Sequence, residues 1–356
     1  MRAFDCGACG RLVFFENTEC LHCGAALAFA WPRRELVVRG DEPLCANAGI
    51  AGCNWLVGAP GELCASCRLT RTRPADADLD DGFRAAEAAK RRLVFELGEL
   101  GLPLAGLAFD LLSSAGGPVT TGHADGLVTL DLAESDDVHR VRMREQLGEP
   151  YRTVLGHLRH EVGHFYWTVL AGDEPTRERC RALFGDERED YAAALERHYA
   201  QGPPQGWGER HVSAYATVHP AEDWAETFAH YLHIRDTLQT AAAYGVRVDG
   251  PHPAPREARG FDELLAASLP LTYALNAINR SMGRDDLYPF VLSGPAVDKL
   301  ALVHELVTRG VSGRGAQCGS SPVAAGGRDS SASEVIRSSP RAASSSSSAT
   351  SSFERP

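Results

Sequence analysis

His160-Glu161-Val162-Gly163-His164 is where residue types and spacing in this chain could do chemistry most directly. Two histidines four apart lie on one face of a helix and present both imidazoles to the same side, where a single Zn²⁺ binds them. A glutamate next to the first histidine reaches the open coordination position of such an ion. There it takes the proton of a polarised water and passes it to a leaving amine. Those steps make up metal-assisted hydrolysis of a peptide bond. Five residues recur by chance, so the surrounding elements have to support the assignment.

The first such element is the stretch from Val141 to Gly172. Leu155, Leu158, Val162, Phe165, Tyr166 and Val169 recur at helical spacing, Pro150 suits a first turn and Gly172 a stop. Val162 and Phe165 then face a core, while His160, Glu161 and His164 face a cleft. His157 shares that face roughly, but a fourth protein ligand would close a catalytic site. It is read as a neighbour of the centre or a surface residue. A second helix is expected from Pro220, with Trp224, Ala225, Phe228, Ala229 and Leu232 as its apolar face. Glu222 and Glu226, four apart, point to the same side. One would coordinate zinc and the other would orient a ligand histidine from behind. His219 is the rival ligand.

The cysteines make a separate argument. Cys6-Gly-Ala-Cys9 and Cys20-Leu-His-Cys23 are two knuckles followed by Gly10 and Gly24, and four thiolates from two tight turns form a closed tetrahedral zinc site. Leu12 to Phe15 supplies a strand between them. Cys45, Cys53, Cys64 and Cys67 form a second, less regular set and a second expected structural zinc. No apolar leader opens the chain and no stretch approaches the ~20 apolar residues of a membrane span, so a reducing, cytoplasmic setting without membrane attachment is expected.

Glu222-x-x-Ala225-Glu226-x-Phe228-Ala229 resembles the third-ligand helix of gluzincin-type peptidases, including the lethal-factor peptidases. The resemblance implies that Glu222 is the ligand and leaves Glu226 behind it. It also implies that Tyr215, seven residues earlier, donates to the tetrahedral intermediate. More widely, residues 1 to about 310 resemble a bacterial family of zinc-binding metallopeptidases with an N-terminal zinc ribbon. The resemblance is carried by Phe4-x-Cys6-x-x-Cys9, Phe14-Phe15-Glu16-Asn17, Cys20-x-x-Cys23-Gly24, Glu149-Pro150-Tyr151-Arg152, Arg159-His160-Glu161-x-Gly163-His164 and His219-Pro220-x-Glu222-Asp223-Trp224-Ala225-Glu226.

These motifs need a scaffold, and 356 residues with 44% hydrophobic content allow one sizeable core plus small modules. The expected fold is α+β, with a zincin-like metallopeptidase domain over 73–312. Ahead of it come a zinc ribbon over 1–27 and a second four-cysteine module over 28–72. A disordered serine-rich tail over 313–356 follows. Asp81 to Leu100 reads as a helix with Lys90, Arg91 and Arg92 on its outer face. Leu107–Leu112 and Leu127–Leu132 read as strands, with turns at Gly116–Pro118 and His123–Gly126. Val128 to Leu132 is the candidate edge for pairing an extended peptide or protein substrate. A net charge of −11 disfavours nucleic acid, despite Arg33, Arg34, Arg68, Arg71 and Arg73 near the cysteines. Those modules could instead meet a protein partner. The alternative function is a zinc-ribbon adaptor whose peptidase-like domain is inactive; Glu161 argues against it, because a purely structural site needs no base beside its ligand.

Overall fold

In the N-terminal part, short strands are stapled by cysteine knuckles. β1 (Phe4–Asp5) pairs antiparallel with β2 (Leu12–Val13), and β3 (Leu27–Ala30) with β4 (Glu35–Val38). Gly10 and Gly24 close the two knuckles at φ +69° and +70°, the left-handed conformation that side-chain-bearing residues resist. A single turn of helix, α1 (Ala48–Ala51), separates Cys45 from Cys53. The computed structural model describes residues 1–75, 81–135, 153–248 and 260–315.

The remainder is a small mixed sheet covered by helices. In chain order come β5 (Thr70–Thr72), α2 (Asp81–Glu99), β6 (Ala108–Leu112), β7 (Gly122–Ala124) and β8 (Leu127–Asp131). They are followed by α3 (Val154–Leu170), α4 (Glu174–Phe184), α5 (Tyr191–Gln201), α6 (Pro220–Ala243), α7 (Phe261–Ser281) and α8 (Gly294–Gly315). The sheet order is β5-β6-β8-β7, parallel from β5 through β8 and antiparallel at β7. β8 is therefore an interior strand, contrary to its expected place at the edge. The edge near the expected site is β7, folded onto β8 by a tight turn at Asp125 (φ +49°) and Gly126 (φ +82°). Any Cβ on Gly126 would fall 2.1 Å from the carbonyl oxygen of Gly106, so this hairpin needs glycine.

Two hydrophobic clusters share α2. Phe83, Leu93 and Leu97 join Phe109, Val128, Leu158, Val162, Trp224 and Phe228 in the larger one. Val94 and Phe95, from the opposite side of the same helix, join Phe4, Phe15, Phe29 and Trp55. The second cluster also holds cysteines of both four-cysteine sets, and the boundary drawn after residue 27 falls inside β3. The expected outer face of α2 is corrected as well. Lys90 is fully buried and Arg91 nearly so. Lys90 Nζ pairs with Glu87 Oε1 at 2.7 Å and Arg91 Nη2 donates to the carbonyl of Ala51 at 3.1 Å, because the second cysteine module lies over them.

Two expectations at element ends also change. α3 opens at Val154 behind a Thr153 cap whose Oγ1 accepts from Gly156 N at 2.9 Å, so Pro150 does not start it and lies outside the described residues. α8 continues to Gly315, past the expected start of the tail, and the rest of the tail lies outside the described residues. Among the described residues, no helix is long and apolar enough to cross a membrane.

A candidate metal centre at a helix crossing

α3 and α6 meet where Gly163 faces Ala225. A Cβ on Gly163 would lie 3.0 Å from Ala225 Cα and 3.1 Å from its carbonyl oxygen, so the missing side chain sets how closely the helices approach. Trp224 Nε1 donates to the carbonyl of Gly163 at 2.9 Å and pins the crossing. Pro220 occupies the first turn of α6, where a missing N–H costs nothing. His219 is its cap: the ring accepts from Ala221 N at 3.1 Å through Nδ1, and Nε2 lies 3.1 Å from the carbonyl of Glu189. Both nitrogens are engaged, so His219 is not the third ligand.

The crossing brings His160, His164 and Glu222 together, with one ligand atom from each lying within 4.8 Å of the others. His160 Nε2 is 3.0 Å and His164 Nε2 3.5 Å from Glu222 Oε2, yet that buried oxygen accepts no well-formed hydrogen bond. Two ring nitrogens and a carboxylate oxygen aimed at one point are a donor set for a tetrahedral ion with one position left open. Glu222 Oε1 accepts from the Tyr191 hydroxyl at 2.9 Å. Glu226 stands behind His160, with Oε1 2.7 Å from Nδ1, and its Oε2 accepts from Ser213 Oγ at 2.6 Å. An imidazole donating from Nδ1 to a carboxylate presents Nε2 as an unprotonated donor atom toward a metal.

The electrostatics agree that the pocket calls for positive charge. Burial works against protonation of His160, but Glu222 and Glu226 outweigh it and hold its pKa well above the usual value. Burial likewise raises the Glu222 and Glu226 carboxyls, and the histidines overcome it, leaving Glu226 at about 2 and Glu222 lower still. A bound cation would take over the charge that protonated imidazoles otherwise supply.

Glu161 is buried beside this set, one turn after His157 on the same helix face. Its Oε1 lies 3.1 Å from His157 Nε2. Burial raises its pKa, and His157, His160 and His164 pull it below the ordinary glutamate value. Tyr215 lies in a one-turn 3₁₀ segment with its ring 5.9 Å from that of His160. Burial first, then Glu222 and Tyr191, push the Tyr215 phenol far up, so it stays a proton donor. Tyr191, Ser213 and His123 escaped the sequence reading. His123, on β7, stacks on the His164 ring at 6.1 Å and accepts from Gly126 N at 3.0 Å. Its place in an apparent turn hid it, and Tyr191 follows an ordinary helix cap. Only Ser213, two residues before Tyr215, stood inside a motif already under scrutiny.

Both cysteine sets also converge, each with four sulfur atoms within 4.8 Å of one another. Cys6–Cys23, Cys9–Cys20 and Cys53–Cys64 have sulfurs 3.7 Å apart. Disulfide sulfurs sit at about 2.05 Å. A tetrahedron with metal–sulfur bonds of about 2.3 Å has edges of about 3.8 Å, which fits. Backbone N–H groups of Cys64 and Cys67 point at the sulfurs of Cys45 and Cys64 at 3.3 Å and favour thiolates. Glu87, whose Oε2 lies 3.7 Å from Cys67 Sγ, meets the cations of Lys90 at 2.7 Å and Arg91 at 4.0 Å and so lets them be buried in α2. Four of the five neighbouring arginines are occupied. Arg33 pairs with Glu35, Arg34 with Glu99 and Arg71 with Asp110, while Arg68 caps the carbonyls of Leu63 and Cys64.

Residues 80–306 match the family model described as "Putative zinc-binding metallo-peptidase", and residues 3–78 match that of a zinc-ribbon domain. Uncharacterized proteins of Mycobacterium bovis and of Mycobacterium tuberculosis are each 50% identical to the chain over 328 residues, covering 86% of it and 95% of the relative. No solved structure matches the chain.

Proposed function

Because the chain belongs to the zinc-binding metallopeptidase family, we propose that it hydrolyses peptide bonds in a peptide or protein substrate at a gluzincin-like centre on α3 and α6. The observation that carries this reading is Glu222 Oε2, buried, without a hydrogen bond, and faced by His160 Nε2 and His164 Nε2. In this proposal His160, His164 and Glu222 hold Zn²⁺, which when bound supplies a Lewis acid toward water and the scissile carbonyl. Glu161 takes the water's proton on the oxygen that His157 leaves free, then delivers it to the departing amine. Glu226 keeps His160 Nδ1 as a donor and so fixes the ring's tautomer. Tyr215 donates from its phenol to the oxyanion as charge develops there. Each cysteine set holds one structural Zn²⁺, giving one catalytic and two structural ions per chain. The cytoplasm is the proposed setting, and residues 1–72 are proposed to meet a protein partner or the substrate itself.

Glu161→Gln tests the reading. It removes proton transfer and leaves the proposed ligands intact, so zinc content should stay while turnover falls at least about 10²- to 10⁴-fold. The same variant should retain bound substrates for identification by mass spectrometry. Undiminished hydrolysis by Glu161→Gln would exclude this mechanism.

A further inference from the structure

His157 is a residue of this region for which the mechanism gives no role, and its surroundings are unusually specific. Both ring nitrogens face carboxylates: Nε2 lies 3.1 Å from Glu161 Oε1 and Nδ1 lies 2.5 Å from Glu134 Oε2. An ionised carboxylate only accepts hydrogen bonds, so with both ionised the two nitrogens donate and the ring is an imidazolium. Glu134, itself buried, accepts at its other oxygen from Thr121 Oγ1 at 2.6 Å, and Thr121 Oγ1 accepts from Asp131 N at 3.1 Å. Glu161 is thus tied through His157 and Glu134 to the last residue of β8 and to the residue that leads into β7.

We propose that His157 is the positioning residue for Glu161, an inference that rests on Glu161 acting as general base. A glutamate has three rotatable side-chain bonds, and one set beside two ligand histidines has a competing arrangement open to it. It can swing onto the ion as a fourth ligand and close the position that substrate needs. His157 prevents this by holding Oε1 at 3.1 Å, which leaves the other oxygen for the transferred proton. The sheet holds His157 through Glu134, so the base is referenced to the strands beside the cleft as well as to its own helix.

The test pairs two substitutions with a measurement independent of turnover. His157→Leu removes the donor, and His157→Gln restores an N–H at the place of Nε2. With internally quenched peptides randomised at their central positions as probe, His157→Leu should lower kcat about ten- to a hundredfold with KM within about twofold. Zinc content should not change, and His157→Gln should recover most of the loss. Imidazole ¹⁵N spectra of the zinc-loaded full chain should show both His157 nitrogens protonated near neutral pH. Glu161→Leu should then shift Nε2 and spare Nδ1. The proposal is overturned if His157→Leu keeps full kcat or sheds zinc, if His157→Gln is as impaired as His157→Leu, or if Nε2 carries no proton. Absence of hydrolysis by the wild type would instead count against the peptidase reading, and the spectra would still decide whether His157 holds Glu161.

Discussion

Glu222 and Glu226 are identical side chains on one face of α6, and only their partners separate them. Glu222 turns an oxygen without a hydrogen bond toward two Nε2 atoms, whereas Glu226 has both oxygens committed, to His160 Nδ1 and Ser213 Oγ. Glu222→Ala should therefore empty the centre. Glu226→Ala should weaken zinc binding about ten- to a hundredfold without abolishing it, as competition with a chelating dye would measure. The reverse order would exchange the two roles. His157 carries a pH prediction. Burial disfavours its charge, but Glu134 and Glu161 prevail and lift its pKa to about 9. A raised pKa means that the folded protein holds this proton more tightly than the unfolded chain. The stabilisation is full below the ordinary histidine pKa of about 6.5 and disappears as pH rises through about 9. The gap in melting temperature between wild type and His157→Gln should be wide at pH 6 and narrow by pH 10, whereas a constant gap would refute the ion pair. At this scale His160, Glu161 and His164 were legible because helix periodicity alone puts them on one face. Tyr191 and His123 were not, because each reaches the centre from an element whose placement depends on tertiary packing.

The elements converge on a crossing set by a missing side chain. Gly163→Val would drive a branched side chain into the Ala225 backbone and push α3 from α6, parting His160 and His164 from Glu222. Zinc affinity and melting temperature should fall together, and normal zinc affinity in a folded Gly163→Val protein would contradict this account. The sequence marked both helices well, since Pro220 and the apolar spacing act locally. The sheet was harder to read. β7 is only three residues long, and its hairpin depends on the contact between Gly126 and Gly106, which no local pattern reports. Missing it left β8 looking like an edge. Lys90 and Arg91 were misread for a related reason: periodicity assigns a residue to a helix face but does not reveal that a four-cysteine module covers that face.

For the whole molecule, α2 is shared property. Trp31 sits over Gly98, where a Cβ would come within 2.4 Å of the indole, and stacks on Trp55 at 5.0 Å. Phe95 packs against Phe15 at 5.2 Å and Phe29 at 5.7 Å. A chain beginning at Arg73 would uncover Val94 and Phe95, each fully buried and worth about 1.5–3 kcal/mol, and would lose β5 from the sheet. At about 2–4 °C per kcal/mol for a domain of this size, its melting temperature should drop on the order of ten degrees. With zinc in the cysteine sets as proposed, withdrawing it from the full chain should act in the same direction, and a shortened chain that melts with the full one would show the two halves to be independent. The place of Val94 and Phe95 also bears on how the protein is made. Synthesis runs from the amino end, so all eight clustered cysteines leave the ribosome before the helix that completes their core. A nascent chain halted between Cys67 and Phe95 would carry both thiolate sites with their aromatic lid missing, open to exchange of metal with its surroundings. Translation of α2 is then the step that completes the apolar core around both cysteine sets.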